Sequence, residues 1–139
     1  MATDARSPND FFAVARSGKF AGYNQLRGYY VGQGGNSNTT TRFRRYAGDP
    51  VERPLLPEHD RTAPLLAPNV WQTIRLAAMG NRIQYYAAGK LIFDFDDPAA
   101  YTRGRFGFRT TASHLEIRDF RIRRPATAKR WNNTRPGRV

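Results

Sequence analysis

The chain predicts an all-β fold, a two-sheet sandwich or jelly roll, and three observations carry that prediction. Apolar residues alternate with polar ones at Ile83, Tyr85 and Ala87, at Leu91, Phe93 and Phe95, and at Leu115 and Ile117. Such a period of two is expected where one strand face meets a core. Aromatic residues make up 13% of the 139 positions, which favours strands over disorder. Turn signals at Gly80-Asn81, Ala88-Gly89 and Asp97-Pro98 divide the second half into a meander. No helical stripe of useful length survives the Gly and Pro spacing, and no repeat of fixed period is present.

Phe11 to Ala15 reads as a short strand, followed by breaks at Ser17-Gly18 and Ala21-Gly22 and a second strand from Gln25 to Val31. Gly, Asn and Thr dominate residues 32 to 41, a turn or loop leading into a strand from Thr41 to Tyr46. There Arg42 and Arg44 share one face, with Phe43 and Arg45 opposite. Residues 49 to 69 carry Pro50, Pro54, Pro57, Pro64 and Pro68. Each proline removes a ladder donor and restricts its predecessor. A long connection is expected, pinned by Leu55, Leu56, Leu65 and Leu66. In the last strand Leu115 and Ile117 fall on one parity and Phe120 and Ile122 on the other, a slip that predicts a β-bulge near Arg118 or Asp119. The expected domain spans residues 1–124, with a basic disordered tail over 125–139.

The formal charge is +12, and 20 of the 23 cations are arginine. Such a surface invites nucleic acid, but a GC-rich genome produces the same arginine bias. Arg75, Arg82, Arg105, Arg109 and Arg118 sit in strand alternation, where a solvated outer sheet face accounts for them. The absence of cysteine excludes disulfides and thiolate metal sites. No apolar run approaches the roughly 20 residues of a membrane-spanning helix, and Met1 to Asp10 has no secretory pattern.

The run W-Q-T-I-R-L, G-N-R-I-Q-Y-Y-A-A-G-K-L-I-F-D-F-D-D, G-R-F-G-F-R-T and I-R-D-F-R-I resembles the C-terminal half of concanavalin-A-like (laminin-G-like) sandwich domains. Y-Y-V-G-Q-G-G-N-S-N-T-T-T-R-F-R-R-Y, R-P-L-L-P-E-H-D and F-G-F-R-T-T-A-S-H resemble an uncharacterised bacterial family of that fold, akin to the YesU-like proteins of pectin (rhamnogalacturonan) utilisation. The resemblance covers Thr3 to Arg123. It implies carbohydrate handling but no transferable catalytic residues. Related domains carry several strands ahead of the segment matching Met1 to Asp4. A chain incomplete at its N-terminus is therefore expected, with an exposed sheet edge and a full-length protein that is exported.

Three groups of residues are candidates for chemistry. Arg42, Arg44 and Tyr46, with Asn36 in the preceding loop and Arg109 in F-G-F-R-T, could bind an acidic glycan. Guanidinium forks pair with carboxylates, and aromatic faces stack on sugar rings. The competing account is an outer face balanced by Asp49, Glu52 and Asp60. Asp94 and Asp96 share a strand face, as paired carboxylates of a glycosidase would, although a solvated strand end serves equally. Calcium held by Asp94, Asp96 or Asp97 is the one metal reading; otherwise no metal or cofactor is expected. His59 and His114 could each act as a general base in a lyase, or fill ordinary structural and surface roles. The leading expectation is a carbohydrate-associated domain that binds, or helps degrade, an acidic polysaccharide. A lyase or glycosidase is the alternative, and nucleic-acid binding the third; no membrane partner is expected.

Overall fold

The computed structural model describes residues 2–4, 6–7, 9–51 and 55–124, with only the backbone for 55–58. The expected tail over 125–139 and the carboxylate of Glu52 lie outside the described residues. The chain divides into two compact units, Met1–Gly107 and Phe108–Val139.

The first unit holds two antiparallel sheets. In the four-stranded sheet, β1 (Ala2–Asp4), β2 (Leu26–Gly34), β3 (Thr40–Ala47) and β4 (Leu55–Arg61) lie in chain order. In the three-stranded sheet, β5 (Ile74–Met79), β6 (Arg82–Ala87) and β7 (Lys90–Asp96) form the expected meander, with turns at Gly80-Asn81 and Ala88-Gly89. The sheets meet through rings: Phe43 of β3 lies 6.0 Å from Phe93 and 5.5 Å from Phe95 of β7, centroid to centroid. Phe43, Ile83, Tyr85, Ala87 and Phe93 are buried, with Tyr29, Val31, Ile92 and Phe95 packed against them. The architecture is a β-sandwich, and neither sheet closes into a barrel among the described residues.

Polar ties cross the same gap. Asp97, just past β7, is buried and accepts from Tyr29 Oη at 2.5 Å, Arg45 Nε at 2.6 Å and the Ala99 amide at 3.0 Å. Three donors offset the desolvation of one carboxylate. The Tyr85 hydroxyl donates to Gln33 Oε1, while Gln33 Nε2 donates to Gln72 Oε1 at 2.7 Å, tying β6 and β2 to the connection ahead of β5.

Several expectations need correction. Phe11–Ala13 is a 3-10 turn, not a strand, because the Asp10 carboxylate accepts from the Phe12 amide at 3.0 Å and caps it. The expected loop before β3 is partly strand, since β2 runs to Gly34. It then reverses through a left-handed turn with Asn36 at φ 49, Ser37 at φ 56 and Asn38 at φ 64. Asn tolerates that region better than most residues. Asn38 also holds Leu66 by two reciprocal bonds of 2.9 Å.

The proline-rich stretch contains β4 despite Pro57. Here β4 is an edge strand, where a missing outward donor costs no ladder bond. Its register with β3 also shifts between Arg42 and Arg44, so part of the strand lies outside the ladder. A second shift, between Tyr85 and Tyr86, breaks the alternation expected in β7. Leu91 pairs with Tyr86 and is 47% exposed, while Ile92 packs on the core.

The two strands expected after Asp97 do not form. Arg105 makes an isolated bridge with Ala2, through bonds of 2.8 and 2.7 Å, and residues 106–124 carry no strand. In the second unit, Leu115, Ile117, Phe120 and Ile122 are all at least 49% exposed. Alternation states which side a residue would bury in a ladder, but a ladder also needs a neighbour. Asp119 adopts φ 54 where the bulge was expected, a bend without a sheet to bulge from.

Phe93→Ala empties the point where the two sheets converge and is expected to cost about 3–5 kcal/mol, read as a lower urea midpoint. Burial pushes the Tyr85 phenol up to about 12; burial, then the Asp97 carboxylate, does the same for Tyr29. Their neutral forms favour the fold below the ordinary value of 10, and that contribution disappears as pH rises towards 12. An ultraviolet titration is expected to show both phenols ionising late, with Tyr29→Phe deleting one of them.

Candidate functional site

The alternation of β3 turns Phe43 inward and sets Arg42, Arg44 and Tyr46 on the outer face of the four-stranded sheet. Across the β2 ladder they face Gly32, Tyr30 and Gly28 in that order. Two glycines leave this face low, and Tyr30 fills the space. A Cβ at Gly32 would lie 2.8 Å from the Tyr30 hydroxyl, so the phenol leans over Gly32 towards the Arg42 row. The Tyr30 ring stacks on Tyr46 at 6.0 Å and meets Phe20 edge-on at 5.7 Å.

Arg42 faces Asp60 across the β4 ladder, and its Nε donates to Asp60 Oδ1 at 2.8 Å. That bond holds the Asp60 carboxyl below its ordinary value, with the charges of Arg42 and Arg44 adding to the effect. Asp60 raises Arg42 in return. The three side chains together carry one net positive charge on a partly solvated sheet face.

The glycan-binding candidates divide accordingly. Arg42, Arg44 and Tyr46 do share a face, but Tyr46 is only 3% exposed and has no ring face to offer a sugar. Half-buried Tyr30 is the aromatic surface beside Arg44, and sequence reasoning passed over it. Its strand parity was legible, but its register opposite Arg44 was not. Asn36 stands exposed at the hairpin tip beyond Arg42. Arg109 belongs to the second unit and is exposed.

His59 sits in β4 rather than in a connecting loop, and it is 5% exposed. Its ring lies edge-on to Phe43 at 5.2 Å, Phe93 at 5.4 Å and Phe95 at 5.8 Å. Nε2 lies 3.3 Å from the Asp94 carbonyl oxygen, and Nδ1 makes no hydrogen bond among the described residues. In this setting the imidazole packs as a ring of the core. His114 lies exposed in the second unit.

Asp94 and Asp96 occupy one face of β7, opposite Gln84 and Arg82. Arg82 grips Asp94 with Nε at 2.7 Å and with its Nη2, and that contact holds the Asp94 carboxyl below its ordinary value. A retaining or inverting pair needs one carboxyl kept protonated near neutrality and the other ionised, and the shift at Asp94 does not suit the protonated role. Asp97 points into the sandwich, so the three aspartates do not converge. Among the described residues, no group of three His, Cys, Asp or Glu side chains could hold a metal ion.

In a carbon-detected titration the Asp94 carboxyl is expected to have its midpoint below 3.8, and Arg82→Ala should return it towards that value. An unchanged midpoint in the variant would separate the shift from the ion pair.

No curated protein and no solved structure matches the chain. One protein family does: the model described as "Domain of unknown function (DUF6250)" matches residues 1–120, and the chain therefore belongs to the DUF6250 family.

Proposed function

We propose that this domain binds an acidic polysaccharide without cleaving it, on the outer face of the four-stranded sheet. One observation carries the reading. Arg42 already holds a carboxylate, that of Asp60, at 2.8 Å on a partly exposed face. Arg44 stands two residues further along the same strand, roughly 7 Å away. Tyr30 borders Arg44 across the ladder and supplies a ring edge for a sugar. A row of guanidinium groups at that spacing suits repeated carboxylates along a polymer, each contact charge-assisted. The sandwich supports carbohydrate as the ligand class, as do the resemblance of the W-Q-T-I-R-L to I-R-D-F-R-I run to concanavalin-A-like domains and that of Y-Y-V-G-Q-G-G-N-S-N-T-T-T-R-F-R-R-Y, R-P-L-L-P-E-H-D and F-G-F-R-T-T-A-S-H to YesU-like proteins.

A non-catalytic role is favoured over a lyase or glycosidase by the burial of His59 and the Arg82 clamp on Asp94. The charge of +12 favours polyanions in general, so nucleic acid is the competitor that a test must include.

In affinity electrophoresis, polygalacturonate is expected to retard the protein and neutral galactan to leave it unaffected. Arg44→Ala should abolish most of the retardation, whereas Asp60→Asn should increase it by releasing Arg42. Loss of the effect on Asp60→Asn, or equal retardation by double-stranded DNA in both variants, would reject the sheet face as the site.

A further inference from the structure

A second site lies on the outer face of the other sheet. In the β5–β6 ladder Arg75 stands opposite Tyr86, and its guanidinium carbon lies 3.9 Å from the centre of the Tyr86 ring. The ring is itself held: its hydroxyl donates to Gln84 Oε1 at 2.9 Å. A guanidinium lying over a ring uses its face for that contact and keeps its in-plane N–H fork for another partner. Among the described residues, no carboxylate forms an ion pair with Arg75.

Arg75 and Tyr86 also line a cavity of about 210 Å³, together with Thr73 and Gly89. The Ala88 amide donates to the Thr73 carbonyl at 2.9 Å, which anchors the β6–β7 turn to the start of β5 and fixes the two ends of the cavity. Gly89, at φ 77, has nothing within 4 Å of where a Cβ would stand, so the rim is open. The site therefore offers a pre-oriented cation with two parallel donors, one hydroxyl at Thr73 and an open mouth. Its volume falls below the roughly 300–1,000 Å³ of pockets that enclose drug-sized ligands.

We infer that this cavity binds a small monocarboxylate, held by the Arg75 fork and the Thr73 hydroxyl, such as one uronate residue of an acidic glycan or a simple organic acid. One fixed guanidinium matches the planar geometry and single charge of a carboxylate. A phosphate dianion would meet only half of its charge here. The site shares no residue with the Arg42 and Arg44 face, so either can fail without the other.

The test is a titration of the nitrogen-labelled full chain with galacturonate, galactose, acetate and inorganic phosphate, following the Gly89 amide and the Arg75 Nε resonances. Galacturonate is expected to shift both saturably and galactose neither. Tighter binding of galacturonate than acetate would identify a sugar acid, and equal binding a simple carboxylate; both support the site. Arg75→Gln should weaken the response about tenfold or more, Tyr86→Leu should weaken it several-fold, and Arg44→Ala should leave it unchanged. Both variants at β5 and β6 are read alongside their thermal melts. Absence of any saturable carboxylate shift, stronger binding of phosphate, or an undiminished response in a folded Arg75→Gln protein would overturn the inference.

Discussion

The sandwich depends on the burial of Phe43. This ring is 1% exposed, comes from a strand that pairs on both sides with a long neighbour, and touches Phe93, Phe95, Tyr29 and His59. Each contact of this kind adds a modest amount beyond the apolar area it covers, and together they join strands from both sheets. The buried aromatic block is also what makes polar groups at its margin expensive to leave unpaired. Asp97 and Gln33 are satisfied by several partners each for that reason. His59 belongs to the same block, which explains how a residue with catalytic potential can be structural.

The two outer faces inherit their chemistry from this arrangement. With Phe43 turned inward, Arg42 and Arg44 have no choice of side. With Tyr85 inward, Tyr86 must point out, beneath Arg75. Both faces then present guanidinium groups braced by rings or carboxylates, the first with its charge partly answered by Asp60, the second with a fork left open. The contrast is one of register: an acid stands across from Arg42, and an aromatic ring across from Arg75.

Legibility in the sequence followed the range of the interactions. The β5 to β7 meander was readable because its turns are local and Gly-bearing and its alternation runs unbroken through Ile83, Tyr85 and Ala87. The shared face of Arg42 and Arg44 was readable for the same reason. β4 was hidden because proline spacing reports on the backbone's donors and not on whether a strand sits at an edge. The role of His59 was hidden too, since its ring contacts with Phe93 and Phe95 come from a strand far away in the chain. In Leu115 to Ile122 the pattern misled in the other direction: periodicity records a capacity to pair, and pairing needs a strand alongside. Tyr30 and the Arg75–Tyr86 pair required cross-strand alignment, which no single segment encodes.

β5 has a further consequence. Ile74 and Leu76, on its core side, are 44% and 48% exposed, and among the described residues no strand pairs along its outer edge. Bare ladder groups beside greasy side chains are a template for unwanted sheet growth. What keeps such molecules apart in dilute buffer is their mutual repulsion at +12. Dissolved ions shorten the reach of that repulsion to roughly 10 Å at about 0.1 M, so the colloidal behaviour of the protein is tied to ionic strength through one short strand.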